Sequence, residues 1–347
     1  MRLDYERQQK FAPYLRSSSS PVVELHSKLS VQDRTRFHNG LLDWIGFGEI
    51  DTRQDKISAA YRRTFEWLFS DPQESKWSDF PRWLMSDAEQ LYWITGKPAS
   101  GKSTLVKFIY RDERTMQHLK QWAKRKKLII CSYYFWNSGT HMQMSEEGMA
   151  RTLLHHALRQ APDLWASLFP YQMEEYIAYG NPWHHQITWD DMMRAFRVLV
   201  EGAGKDYKLF FLIDGLDEFD GEHEKLIDML QGFLSPHVKT CVSSRPWNVF
   251  QDRFQQRPSL RLEDITYDDI KHYVSSRMSE SIGFKERQME TPQEAAQLIE
   301  NITIKASGVW LWVALVTDSL LEGLAEGERL SELQARLNDE LNDIGKK

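Results

Sequence analysis

Apolar residues recur along this chain in two registers, and the alternation between them predicts the fold. Uninterrupted apolar runs stand at 91–95 ("LYWIT"), 128–135 ("LIICSYYF"), 209–213 ("LFFLI"), 240–244 ("TCVSS") and 259–263 ("SLRLE"). Short runs without polar alternation suit strands buried on both faces of a parallel sheet. Between them the apolar positions fall at helical spacing. In "TWDDMMRAFRVLVEG" Met193, Phe196 and Val200 share one helical face, and Thr188 with Asp191 forms a capping box. Strand and helix in alternation predict a three-layer α/β sandwich with a mainly parallel sheet.

Upstream of the first run, "DKISAAYRRTFEWLF" places Ile57, Ala60, Tyr61, Thr64, Phe65 and Leu68 on one stripe, which predicts a helix. After about residue 263 the strands stop. "TYDDIKHYVSSRM", opened by a second capping box of Thr266 and Asp269, is followed by "TPQEAAQLIENITIKAS", "GVWLWVALVTDSLLEGL" and "RLSELQARLNDELN", all with helical patterning. The expected organisation is therefore an amino-terminal linker and helical segment over 1–44, broken by "SSSSP" at 17–21, a sheet domain over 45–262 and a small helical domain over 263–347.

Composition narrows the functional classes. The 347 residues make roughly two domains at about 150 residues each. A formal charge of -6 supplies no global field for capturing nucleic acid. The one basic run, "KQWAKRKK" at 120–127, reads as the solvated end of a helix, where cations suit the dipole. The 13 Trp are expected to fill the core. Cys131 and Cys241 lie inside apolar runs and read as buried thiols of a reducing compartment. No apolar signal opens the chain, and the run "VWLWVALV" at 309–316 is less than half the length a bilayer needs, so the expected location is the cytosol.

The chemistry concentrates in three places. "GKPASGKS" fits G-x-x-x-x-G-K-[ST] through Gly96, Gly101, Lys102 and Ser103, and it lies between a strand and a helix. Such a loop wraps phosphates with backbone amides at the positive end of a helix. Lys102 would reach the β and γ phosphates, the Ser103 hydroxyl would bind Mg²⁺, and Thr104 would face the α phosphate. The set expected to touch the nucleotide is Gly96, Pro98, Ala99, Ser100, Gly101, Lys102, Ser103 and Thr104. If Ala99 needs a positive φ, it carries a penalty of roughly 1 kcal/mol. In "LFFLIDGLDE" Asp214 ends a buried strand and could hold a Mg²⁺ water, while Asp217 and Glu218 could orient or deprotonate an attacking water. In "TCVSSRPW" Arg245 follows a strand end and could distinguish a triphosphate from a diphosphate. The pairs His155/His156 and His184/His185 are adjacent and diverge by about 100° on a helix, so they cannot chelate one metal.

Taken together, "GKPASGKST", "LIDGLDE" and "SSRPW", with "TFEWLF", "YYFWNSGT", "RTLLHHALRQAPDL" and "KASGVWLWVALVTDSLLEGL" around them, resemble the NACHT class of STAND nucleotide-binding proteins. The closest likeness is to the modules of fungal NOD-like receptors and heterokaryon-incompatibility proteins, and it covers about residues 45–335. It implies an AAA+/STAND-like P-loop NTPase, a regulatory switch of innate immunity or programmed cell death in which ADP holds a closed monomer and ATP permits oligomerisation. By that resemblance Lys102 and Ser103 bind phosphate and Mg²⁺, Asp214 holds the metal, Asp217 and Glu218 serve slow hydrolysis, and Arg245 is the sensor. Relatives often carry Gly-x-Pro in the first helical domain, with the Pro on adenine; the aligned text here is Gly308-Val309-Trp310. The sequence reads as a NACHT module, or a short protein, whose effector and sensor parts lie elsewhere. Two other readings stay open, a scaffold that holds ADP permanently and a P-loop kinase. The acidic "DGLDE" suits water activation better than transfer to an acceptor. Missing guanine-reading motifs favour ATP over GTP, with the base near Ile57–Phe65.

Overall fold

The structure, a computed structural model, describes residues 29–72, 76–180, 183 and 186–344. The "SSSSP" segment and the His184/His185 pair lie outside the described residues. From the amino end, helices α1 (Val31–Ile45), α2 (Thr52–Lys56) and α3 (Phe80–Met85) precede strand β1 (Leu91–Thr95). There follow α4 (Lys102–Arg111), α5 (Glu113–Ala123), β2 (Lys127–Tyr134), α6 (His141–Met144), α7 (Glu146–Gln160), α8 (Trp165–Leu168), α9 (Pro170–Tyr179) and α10 (Trp189–Gly202). Strand β3 (Tyr207–Asp214), α11 (His223–Gly232), β4 (Val238–Ser244), α12 (Asn248–Phe254) and β5 (Ser259–Arg261) complete the α/β part. The remainder is helical: α13 (Tyr267–Glu280), α14 (Ile282–Glu290), α15 (Pro292–Ala306), α16 (Trp310–Ala325) and α17 (Leu330–Ile344).

The strands form one sheet in the order β2-β3-β4-β1-β5, and the β2-β3, β3-β4 and β1-β5 ladders are parallel. Each apolar run of the sequence overlaps one of these strands, with "SLRLE" passing after Arg261 into a 3-10 turn, so the α/β expectation holds. Strand β3 is buried at all eight positions, which is why it carries no polar alternation. Its one cation, Lys208, is neutralised locally. The Lys208 ammonium donates to Asp87 at 3.0 Å and lies 4.1 Å from the centre of the Trp122 ring, while Trp122 Nε1 donates to the same carboxylate at 2.7 Å. Both cysteines are buried free thiols.

By compactness the chain divides into two units. Among the described residues the first takes those of 29–57, 84–92 and 115–242, and the second those of 58–83, 93–114 and 243–344. In the first unit α1 is fixed at both ends. The Ser30 side chain accepts from Asp33 N, and the Arg151 guanidinium donates to the carbonyls of Trp44 (3.1 Å), Ile45 (2.6 Å) and Gly46 (3.0 Å). An α-helix leaves its last carbonyls without partners, so one fork-shaped cation satisfies three of them. Phe37 of α1 packs on Trp165, Tyr176 and Trp183. Helix α7 also covers the outer edge of β2. Gln160 accepts from Ile130 N at 3.0 Å and donates to Ile130 O at 2.6 Å, and His156 Nδ1 accepts from Ser132 N while its Nε2 meets Asp51 at 2.9 Å. His156 is thus a structural residue.

In the second unit β5 is flanked by residues 77 and 78, with an antiparallel bridge from Trp77 to Leu260 and a bond from Ser78 N to Ser259 O at 2.9 Å. Its helical part has a core of its own, including Ile270, Val274, Phe284, Leu298, Val313 and Leu320.

Three sequence expectations change. The stripe at 57–68 is no continuous helix. Arg63 and Phe65 have φ of 65° and 67°, which ends any helix there, and only α2 and a 3-10 turn at Glu66–Phe69 are regular. The Thr266–Asp269 box does not form. Asp269 accepts instead from Phe65 N at 3.0 Å and Trp67 Nε1 at 2.8 Å, holding that irregular segment in place. The Thr188–Asp191 box does form, but the buried face of α10 centres on Met192, Ala195, Phe196 and Leu199, with Met193 and Val200 half-buried beside it.

Replacing Arg151 by Ala should lower unfolding free energy by about 2 kcal/mol, since three helix-end carbonyls lose a charged donor together. Arg151→Lys should recover only part, because an ammonium lacks the planar fork. A urea midpoint unchanged in Arg151→Ala would show that the cap contributes nothing.

Candidate functional site

β1 ends at Thr95, and the loop that follows is built from backbone conformations few residues tolerate. At Gly96 an added Cβ would lie 2.8 Å from Ser100 Oγ and 2.9 Å from Glu263 Oε2. Ala99 has φ of 56° and Gly101 of 92°, so the strained position read at Ala99 is present. The reversal at Gly101 turns the chain into α4, whose first residue is Lys102 and whose cap supplies no side-chain acceptor; no acid stands in its first turn. The amino end of α4 therefore keeps its positive character, with no cap side chain or first-turn acid offsetting it. Ser100 is fully buried, and its Oγ has no hydrogen-bond partner.

The Lys102 ammonium donates to Gly96 O at 2.7 Å and to Lys97 O at 2.8 Å. Lys97 N donates to Glu263 Oε2 at 3.3 Å, and the Lys97 ammonium donates to Ser307 O at 3.1 Å. Leu311 N donates to Ala99 O at 3.4 Å, and Trp310 Cδ1 sits 3.2 Å from where a Gly101 Cβ would be. Pro98 is exposed, and Ser103 and Thr104 are half-buried on the first turn of α4. A buried serine with an open hydroxyl, an uncapped helix end and two glycines that a side chain would crowd fit a phosphate group.

Arg245 belongs to the same unit. It follows Ser244, the last residue of β4, whose hydroxyl accepts from Trp93 Nε1 at 2.9 Å and donates to Arg245 O at 3.0 Å. The three acids belong to the first unit. Asp214, 1% exposed, ends β3 beside Tyr134 of β2, and its carbonyl accepts from Phe135 N at 3.0 Å. Gly215 turns left-handed at φ of 74°, and a 3-10 turn presents Asp217 and Glu218 directly after it. Glu218 Oε2 accepts from Asn137 N at 3.0 Å. Burial pushes the Glu218 carboxyl above its ordinary range, with Asp214 and Asp217 adding repulsion against the Asn137 hydrogen bond. Each site segment thus begins where a strand of the sheet ends. Asn137, Glu263 and Ser307 escaped the sequence reading; Asn137 lies in the flanking "YYFWNSGT", and Glu263 closes "SLRLE". Among the described residues no group of three or more His, Cys, Asp or Glu is arranged to hold a metal ion.

Strand, phosphate-type loop and helix, with an acid ending β3 and an Arg following β4 in a parallel sheet, define a P-loop NTPase-type α/β protein with a helical region after it. The chain belongs to the family described as Nephrocystin 3, N-terminal, whose model matches residues 63–245, more than half of its length. It is also 23% identical over 287 residues to the vegetative incompatibility protein HET-E-1 of Podospora anserina, which covers 78% of this chain and 20% of that protein. The chain therefore spans about a fifth of the length of that relative. These matches bear out the resemblance to NACHT-type proteins. Among solved structures it is similar to Drosophila ORC bound to DNA (13% identity, 74% of this chain and 64% of that one, TM-score 0.41). A second is Cdc6p from Pyrobaculum aerophilum (12% identity, 65% and 57%, TM-score 0.34).

Glu218 supplies a signed test. A carboxyl whose folded pKa is raised binds its proton more tightly in the folded state, so the stability it contributes is present below its unfolded value and lost as pH rises through the folded one. Glu218→Gln should therefore raise the urea midpoint at pH 8 and lose that gain by about pH 4, near the unfolded carboxyl value. A gain equal at both pH values would refute the burial argument.

Proposed function

We propose that this chain is the nucleotide-dependent switch of a NOD-like-receptor-type signalling protein, binding ATP or ADP with Mg²⁺ and hydrolysing the triphosphate slowly. The observation that carries the reading is the loop 96–104, where left-handed Ala99 and Gly101 deliver an uncapped helix end beside Ser100 and Lys102. Amides of Ala99 to Ser103 would take phosphate oxygens, and Lys102 would exchange its bonds to Gly96 and Lys97 carbonyls for charged ones to phosphate. Ser103 and Asp214 would hold Mg²⁺, which neutralises phosphate charge when bound. Glu218, held by the Asn137 amide and raised by burial, is suited to accept a proton from an attacking water, with Asp217 beside it. Arg245 would sense the γ phosphate.

A switch needs hydrolysis slower than the signalling it times. The likeness to a vegetative incompatibility protein supports an output in self-association and recruitment of effector parts, leading to programmed cell death. No helix among the described residues is long and apolar enough to cross a membrane; action in the cytosol is part of the proposal.

Calorimetric titration of the purified chain with Mg-ADP and Mg-ATP tests the reading. Lys102→Ala should weaken binding by roughly 50-fold, as expected for a charged hydrogen-bond donor to phosphate. Asp214→Ala should keep binding in EDTA while losing both its Mg²⁺ dependence and phosphate release. If neither substitution altered binding or release, the assignment would be wrong.

A further inference from the structure

The peptide group joining Gly96 to Lys97 is bonded to charge at both ends. Its carbonyl oxygen, on Gly96, accepts from the Lys102 ammonium at 2.7 Å, and its N–H, on Lys97, donates to the Glu263 carboxylate at 3.3 Å. A peptide polarised by an anion at its N–H presents a more negative oxygen, and charge-assisted bonds in series reinforce one another. Glu263 is also held where it is. It lies in the 3-10 turn Leu262–Asp264 after β5, against Gly308, whose φ of 81° and missing side chain let the backbone pass; a Cβ there would come within 2.4 Å of Glu263 Cβ. The Lys97 ammonium is drawn off to Ser307 O, so the amide of Lys97 faces the carboxylate while its side chain points elsewhere.

From this geometry we infer that Glu263 is a positioning residue for the nucleotide site: through a single peptide group it holds Lys102 on its own loop and opposes transfer of that ammonium to phosphate. The inference rests on the switch reading above and assigns the restraint to one side chain. Lys102 has two competing kinds of acceptor, the loop carbonyls of Gly96 and Lys97 and a phosphate oxygen. Glu263 strengthens the first, and its own charge beside the loop disfavours the arriving anion. Glutamine at this position keeps an acceptor for the Lys97 amide and removes the charge. A residue serving only to shape the loop would be nearly indifferent to that exchange.

The test compares the full chain with Glu263→Gln, Glu263→Asp and Lys102→Ala. Mg-ADP affinity should tighten roughly three- to tenfold in Glu263→Gln at low salt, with the difference shrinking as salt screens the charge. Glu263→Asp, which keeps the charge and withdraws it by one methylene, should fall between Glu263→Gln and the parent. In protein without nucleotide, acylation of Lys102 by an amine-reactive ester, followed by peptide mass spectrometry, should be faster in Glu263→Gln than in the parent. This second readout stands even if the variant binds nucleotide poorly for other reasons, and melting of each nucleotide-free variant shows that it is folded. Affinity unchanged or weakened, with Lys102 labelling unchanged, overturns the role of Glu263 while leaving the nucleotide site standing. A parent chain that bound neither nucleotide, with Lys102→Ala indistinguishable from it, would remove the switch reading itself.

Discussion

The site depends above all on the register of strands that are buried along their whole length. Asp214 is the last residue of β3 because Ile213 is matched to Tyr133 on one side and to Val242 on the other. Slipping a fully buried strand by one residue would exchange every side chain between the two faces of the sheet, a change no core of this density absorbs. The acid, the turn at Gly215 and the carboxylates behind it are therefore placed by residues that take no part in any chemistry. The same holds for Ser244 at the end of β4 and Thr95 at the end of β1.

What the strands position, the loops then strain. Ala99 holds a left-handed conformation with a side chain that disfavours it, and Glu218 is a carboxyl kept in surroundings that oppose its charge. Both are local losses sustained by a core that over-determines the fold, a pattern typical of functional segments. The alternation of strand and helix explains why such losses are tolerated: they fall at strand ends, where the backbone is already turning and few core contacts are at stake.

Much of this was legible in the residues. The five strands, the phosphate-type loop and the helical region after residue 263 are written locally, in runs of apolar residues and in glycines required by their own backbone angles. Reading failed where the determining partner is remote. Asp269 looked like a helix cap four residues into a helical pattern, yet its carboxylate is committed to Phe65 N, 204 positions away. That same bond explains the misread stripe at 57–68. Thr64, Phe65 and Leu68 are buried as the stripe implies, but they are brought inside by an irregular chain pinned at Phe65 rather than by a helix. Glu263 was invisible for a similar reason, since its bond to the phosphate loop spans 166 positions and leaves no spacing to detect.

Both edges of the sheet are partly covered among the described residues. Gln160 and His156 occupy the outward amides of Ile130 and Ser132 in β2, and β5 is only three residues long and flanked by residues 77 and 78. An open edge strand is a template on which another chain can add a strand of its own, the usual route to uncontrolled aggregation. Here that template is reduced by side chains on one edge and by brevity on the other. A chain meeting this sheet edge-on would find these backbone groups already engaged, so association through backbone pairing is disfavoured at those positions.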